Sequence, residues 1–154
     1  MAAAFLAKGQ PFKRKILRAE QTFHAAPEVV FRQFCPTREV DWIDGWQADL
    51  LHTESGYMEP ECIFRTPASN ILGPGLWVVA RLEPNELLDI VRLIDENVVE
   101  HFRIDLEDHG DGTCTGRWTL NFAAISERGN AMIDDLTTDD PLFARIIAGL
   151  EHFV

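Results

Sequence analysis

Two alternating segments around a glycine-rich turn limit the fold more than anything else in this chain. In Val98–Asp108, Phe102, Ile104 and Leu106 alternate with His101, Arg103, Asp105 and Glu107. In residues 113–123, Cys114, Trp118, Leu120 and Phe122 alternate with Thr115, Arg117, Thr119 and Asn121. A period of two marks a strand with one buried and one wetted face. Between the segments, His109-Gly110-Asp111-Gly112 supplies the positive φ that a tight hairpin needs. Once paired, the strands join Phe102, Ile104, Trp118 and Leu120 into one apolar surface. A sheet with such a face must cover it with another layer.

The cover is predicted at the C-terminus. Ser126 can cap a helix over 127–136 that turns Met132, Ile133 and Leu136 inward. Asp140-Pro141 reads as cap plus first helical residue, and Phe143, Ile146, Ile147, Leu150 and Phe153 then recur at helical spacing. One long helix kinked at Pro141 and two separate helices both satisfy this pattern. Upstream, a strand is predicted at 13–23 and a short helix at 27–34, with Val30, Phe31 and Phe34 on one face. A second short helix is expected at 38–43, capped by Thr37. Further strands are predicted at 46–53, 58–66, 76–82 and Leu87–Ile94, separated by turn residues. The fold class is therefore α+β. A curved antiparallel sheet of about seven strands, in the order β-α-α-β-β-β-β-β-β-α, wraps around the C-terminal helix. Residues 1–12 form a loose arm, and 13–154 form one domain.

Charge and cysteine usage narrow the partners. Twenty-five acidic against fourteen basic residues give a net charge of −11. That field repels phosphate backbones and anionic lipid, so no nucleic-acid partner is expected. The only basic stretch is Lys8, Lys13, Arg14, Lys15 and Arg18. Three widely spaced cysteines without a C-x-x-C pair suit free thiols in a reducing compartment. The apolar run at residues 1–6 is too short for a signal-peptide core or a membrane span. A cytoplasmic location is the expectation, with the oligomeric state open to a homodimer.

No motif carries a reaction. The five histidines lack zinc spacing, and neither a phosphate loop nor a nucleophile elbow occurs. No metal or cofactor is expected, and no catalytic residue can be named. The acidic group Asp134, Asp135, Asp139 and Asp140 reads as a solvated helix edge. The aromatic supply is more informative: ten Phe and four Trp against one Tyr. An apolar pocket is predicted, with Phe31, Trp46 and Phe64 from the first half of the chain. Phe102, Ile104, Trp118 and Leu120 come from the hairpin, and Met132 and Ile146 from the tail. Trp42, Trp77 and Phe122 belong to the same aromatic set. Tyr57, His52, Arg65 and Arg92 are candidate polar handles, each expected on the surface.

Three stretches are similar to the START-like, helix-grip superfamily, which includes polyketide cyclase/dehydrase proteins, lipid-transport proteins and plant pollen allergens. The first is Phe23-His24-Ala25-Ala26-Pro27-Glu28-Val29-Val30-Phe31, resembling the family's strand end, small-residue-Pro-Glu and following helix. The second is Trp42-Ile43-Asp44-Gly45-Trp46, before the next strand. The third is Ser126-Glu127-Arg128-Gly129-Asn130, resembling the Ser-x-x-Gly start of the C-terminal helix. The likeness covers about residues 14–154. It implies a cavity between sheet and helix that holds hydrophobic ligands. Pro141 departs from a continuous helix.

Three functions follow. The first is binding of a hydrophobic or aromatic small molecule without chemistry. The second is a polyketide-type cyclase, aromatase or dehydratase using the same pocket, which requires a titratable group inside it. The outward parity of His101, Arg103, Asp105 and Glu107 counts against that. The third is a chaperone-regulator-like interaction domain, which requires an exposed apolar patch and a collapsed cavity.

Overall fold

The computed structural model describes residues 12–136 and 140–154. The predicted arm therefore lies, except for Phe12, outside the described residues. Strand β1 (Arg14–Phe23) leads into helix α1 (Pro27–Phe31), which Pro27 opens. The predicted helix 27–34 tightens at its end, where Arg32–Phe34 is a 3₁₀ turn. The expected helix 38–43 is only a 3₁₀ turn, Glu39–Asp41. Thr37 does not cap it, because its hydroxyl sits 3.1 Å from Cys35 Sγ.

Six strands follow: β2 (Asp49–His52), β3 (Ile63–Thr66), β4 (Gly75–Glu83), β5 (Leu87–Ile94), β6 (Val98–Asp108) and β7 (Cys114–Ala124). The predicted strands 46–53 and 58–66 are thus shorter than expected. Pro60 removes a ladder donor, and Glu61 takes a left-handed φ of 67°. Trp46 is held outside the ladder by a 2.8 Å bond from its indole N–H to the Pro36 carbonyl. The seven strands form one curved antiparallel sheet ordered β1-β7-β6-β5-β4-β3-β2. In the central hairpin Phe102 faces Leu120 and Ile104 faces Trp118, with Gly110 and Gly112 both at positive φ.

The tail is two helices, α2 (Glu127–Asp134) and α3 (Pro141–Phe153). Both predicted caps form. Ser126 Oγ accepts from Gly129 N, and Asp140 Oδ1 accepts from Leu142 N. α2 is tied to β1 by Lys13, which pairs with Asp134, and by Lys15, which donates to the Ile133 and Leu136 carbonyls. The basic stretch is thus partly spent on internal contacts. α3 lies over the concave face. Gln21, buried on β1, donates to the Ile147 carbonyl and accepts from the Trp118 indole at 2.7 Å. Leu150 is fully buried, whereas Phe153, predicted on the same apolar face, is exposed. No helix among the described residues is long and apolar enough to cross a membrane.

Candidate functional site

Sheet parity builds the site. Leu88, Ile90 and Arg92 on β5 turn to the concave face, with Glu100 and Phe102 on β6 and Trp118, Leu120 and Phe122 on β7. The α1–β2 connection adds Glu39, Trp42 and Trp46, and α2 and α3 close the other side with Met132, Phe143 and Ile146. These residues enclose a cavity of about 380 Å³. Trp118 is its hub, with edge-on ring contacts to Phe34, Phe102 and Phe143 at 5.5, 5.6 and 5.9 Å. All four tryptophans, Trp42, Trp46, Trp77 and Trp118, stand on the wall.

Of the residues predicted to line a pocket, Trp46, Phe64, Phe102, Trp118, Leu120, Met132 and Ile146 are brought together here. Phe31 and Ile104 are not. Both are buried in the packed core beside the cavity, Phe31 edge-on to Phe34 and Ile104 near the glycine at position 116. Tyr57, His52 and Arg65 are exposed as expected. Arg92 overturns its surface assignment, with only 5% of its area exposed.

Arg92 and Glu100 face each other across β5 and β6 and form an ion pair at 3.2 Å. Arg92 Nη2 also donates to the carbonyls of Leu72 and Pro74, pinning the loop before β4. The guanidinium lies 4.4 Å from the centroid of the Trp77 ring. Its Nε is buried without an acceptor and packs against Gly75, where a Cβ would come within 2.5 Å of it. Burial raises the Glu100 carboxyl above its ordinary range, and Arg92 offsets part of that.

Glu39 stands apart from this pair. It is half-buried and lines the cavity, and its carboxyl makes no hydrogen bond or ion pair. Desolvation holds it well above the usual carboxylate range, and Cys35 adds to the push. All five histidines are exposed, and no cluster that could hold a metal occurs among the described residues.

Solved structures share this fold. Truncated norcoclaurine synthase from Thalictrum flavum matches with a TM-score of 0.68 at 11% identity, over 95% of this chain and 96% of that one. Protein MLL2253 from Mesorhizobium loti matches at 0.63 and 14% identity, over 90% and 95%. CalU16 from Micromonospora echinospora matches at 0.55 and 15% identity, over 92% and 87%. No protein-family profile and no curated protein sequence matches the chain. The chain has the helix-grip fold.

Among the polar residues of this helix-grip cavity, sequence reasoning assigns the candidate handle Arg92 to the surface and Asp140 to a solvated edge, and it does not single out Glu39, Asp95 and Glu100. For two of them the signal existed. Arg92 continues the inward series Leu88, Ile90, and Glu100 extends Phe102, Ile104, Leu106 by one step. Glu39 had none, because a short irregular connection has no period to read.

The raised Glu39 carboxyl has a consequence for stability. The native state retains this proton above pH 4.5, the group's ordinary value, where the unfolded chain has released it. Native Glu39 therefore costs stability as pH rises through that window. Glu39→Gln is expected to raise the melting temperature at neutral pH, with the gain vanishing at about pH 4 and below. Calorimetric melting across that range checks it, and an acid-side gain equal to the neutral one refutes the assignment.

Proposed function

We propose that this chain binds a hydrophobic or aromatic small molecule in the cavity between the sheet and the C-terminal helices. The supporting observation is the cavity itself. Its 380 Å³ falls within the roughly 300–1,000 Å³ of small-molecule pockets, and its wall is mostly apolar and aromatic with a few polar points. The shared fold supports a small-molecule role without choosing the molecule. An interaction domain is less well supported, because the cavity is open and the exposed large apolar residues, such as Ile16, Val40 and Phe153, sit on separate elements.

A neutral naphthalene probe, 2-(2-naphthyl)ethanol, tests the proposal by calorimetric titration of the full chain. Phe102→Ala is expected to weaken binding about tenfold, the loss of about 1.4 kcal/mol of apolar contact. Phe153→Ala, at an exposed site, leaves the affinity unchanged. Equal affinity in wild type and Phe102→Ala, or no binding by wild type, overturns the pocket assignment.

A second reading, a cyclase or dehydratase in the same pocket, draws support from Glu39. A carboxyl held above its ordinary range inside the cavity is the titratable group that such chemistry requires.

A further inference from the structure

The polar points on the cavity wall nearly all carry one sign. Glu39, Asp95, Glu100 and Asp140 stand there against a single cation, Arg92. That cation is already engaged: Nη1 by Glu100, Nη2 by two carbonyls, the guanidinium face by Trp77, and Nε shut against Gly75. A ligand anion therefore meets carboxyl groups, and the one donor Arg92 leaves unpaired, its Nε, is sealed from the cavity by burial against Gly75. The chain's net charge of −11 repels it further.

Glu39 presents the opposite case. It lines the cavity beside Trp42 and Trp46, and its carboxyl has no partner. Asp140 already accepts from the Leu142 N–H, and Asp95 is exposed. Glu39 is thus the acceptor that a bound molecule can complete. A charge-assisted hydrogen bond made there is roughly twice as strong as a neutral one.

Resting on the reading that the cavity takes an aromatic or apolar molecule, we infer that its ligand is an amine, bound with its protonated nitrogen on Glu39 and its apolar body against the aromatic wall. The Arg92–Glu100 pair, with its remaining Nε buried against Gly75, then forms an end of the cavity that turns anions away.

Three probes with one naphthalene body separate the possibilities: 2-(2-naphthyl)ethylamine, 2-(2-naphthyl)ethanol and 3-(2-naphthyl)propanoate. Each is titrated calorimetrically into the full chain at neutral pH. The amine is expected to bind about tenfold tighter than the alcohol, the yield of one hydrogen bond to a charged group. The propanoate is expected to bind more weakly than the alcohol. Glu39→Gln brings the amine-to-alcohol ratio close to one. The substitution removes an unpaired desolvated acid, so the variant keeps its fold, which its melting curve verifies. The inference falls if the propanoate matches the amine, or if Glu39→Gln leaves the ratio intact. Alcohol binding without amine preference overturns this inference alone, whereas no binding by any probe overturns the pocket reading with it.

Discussion

Arg92→Met is expected to lower the free energy of unfolding by about 3–5 kcal/mol, the usual cost of breaking a buried ion pair from one side. The loss has two parts. Glu100 keeps a carboxyl that is almost wholly buried and no longer has a cation beside it. The Leu72 and Pro74 carbonyls lose their shared donor, so the loop before β4 loses its tie to β5. For a chain of this length the melting temperature falls by roughly 10 °C or more. Glu100→Gln is expected to cost less than Arg92→Met, because the amide oxygen still accepts from Arg92 and the guanidinium keeps both carbonyls and the Trp77 face. Denaturant titration of both variants measures the asymmetry, and equal costs would show that the pair itself, not its unpaired remainder, carries the energy. The deficit of Arg92→Met also shrinks toward acid. With Arg92 gone, only burial acts on Glu100, which holds its proton further above the ordinary value of 4.5. The native state then binds more protons than the unfolded chain, so stability falls as pH rises.

Gly129→Ala is the second large effect. Gly129 N donates to the cap Ser126, and its α-carbon rests on the β5–β6 turn. A methyl group there would fall well inside van der Waals contact of the Asn97 carbonyl oxygen and 3.2 Å from Ala124 Cβ. The obstacle is backbone, so no rotamer relieves it. That oxygen is also fixed by the Ile125 N–H at 2.8 Å, and Asn97 Oδ1 holds the Ser126 hydroxyl. Alanine's better helix propensity returns up to about 1 kcal/mol, and overpacking removes more, leaving a net loss of about 2 kcal/mol. Because α2 carries Met132 on the wall and Ile133 in the core, the cavity shifts with it. An unchanged melting temperature would mean that α2 does not dock on this turn.

The antiparallel sheet and its central hairpin were legible because period and turn chemistry agree along β6 and β7, whereas the pairing of β1 with β7 was not read. Leu87–Ile94 and Val98–Asp108 coincide with the observed strands. β2 and β3 were overextended because apolar residues such as Trp46 and Met58 pack from irregular backbone that has no alternation to betray it. Parity accounts for Phe102, Trp118 and Phe122 on the wall, whereas Trp42 and Trp46 reach it from irregular backbone and Phe143 from α3. Ile104 shares parity with Phe102 yet points where the core is solid, since a strand's inward face does not say where along its length a void opens. The polar part was not readable in the same way. Whether an inward charge is sealed by a partner depends on the strand beside it, as Glu100 beside Arg92 shows.

The placement of the indoles has one more consequence. Trp42, Trp46, Trp77 and Trp118 are the chain's whole tryptophan complement, and each borders the same void, while the single tyrosine, Tyr57, faces solvent. Light absorbed selectively by indole is therefore re-emitted almost wholly from the walls of that chamber. Intrinsic emission becomes a label-free gauge of its contents, with colour and intensity answering to whatever enters it.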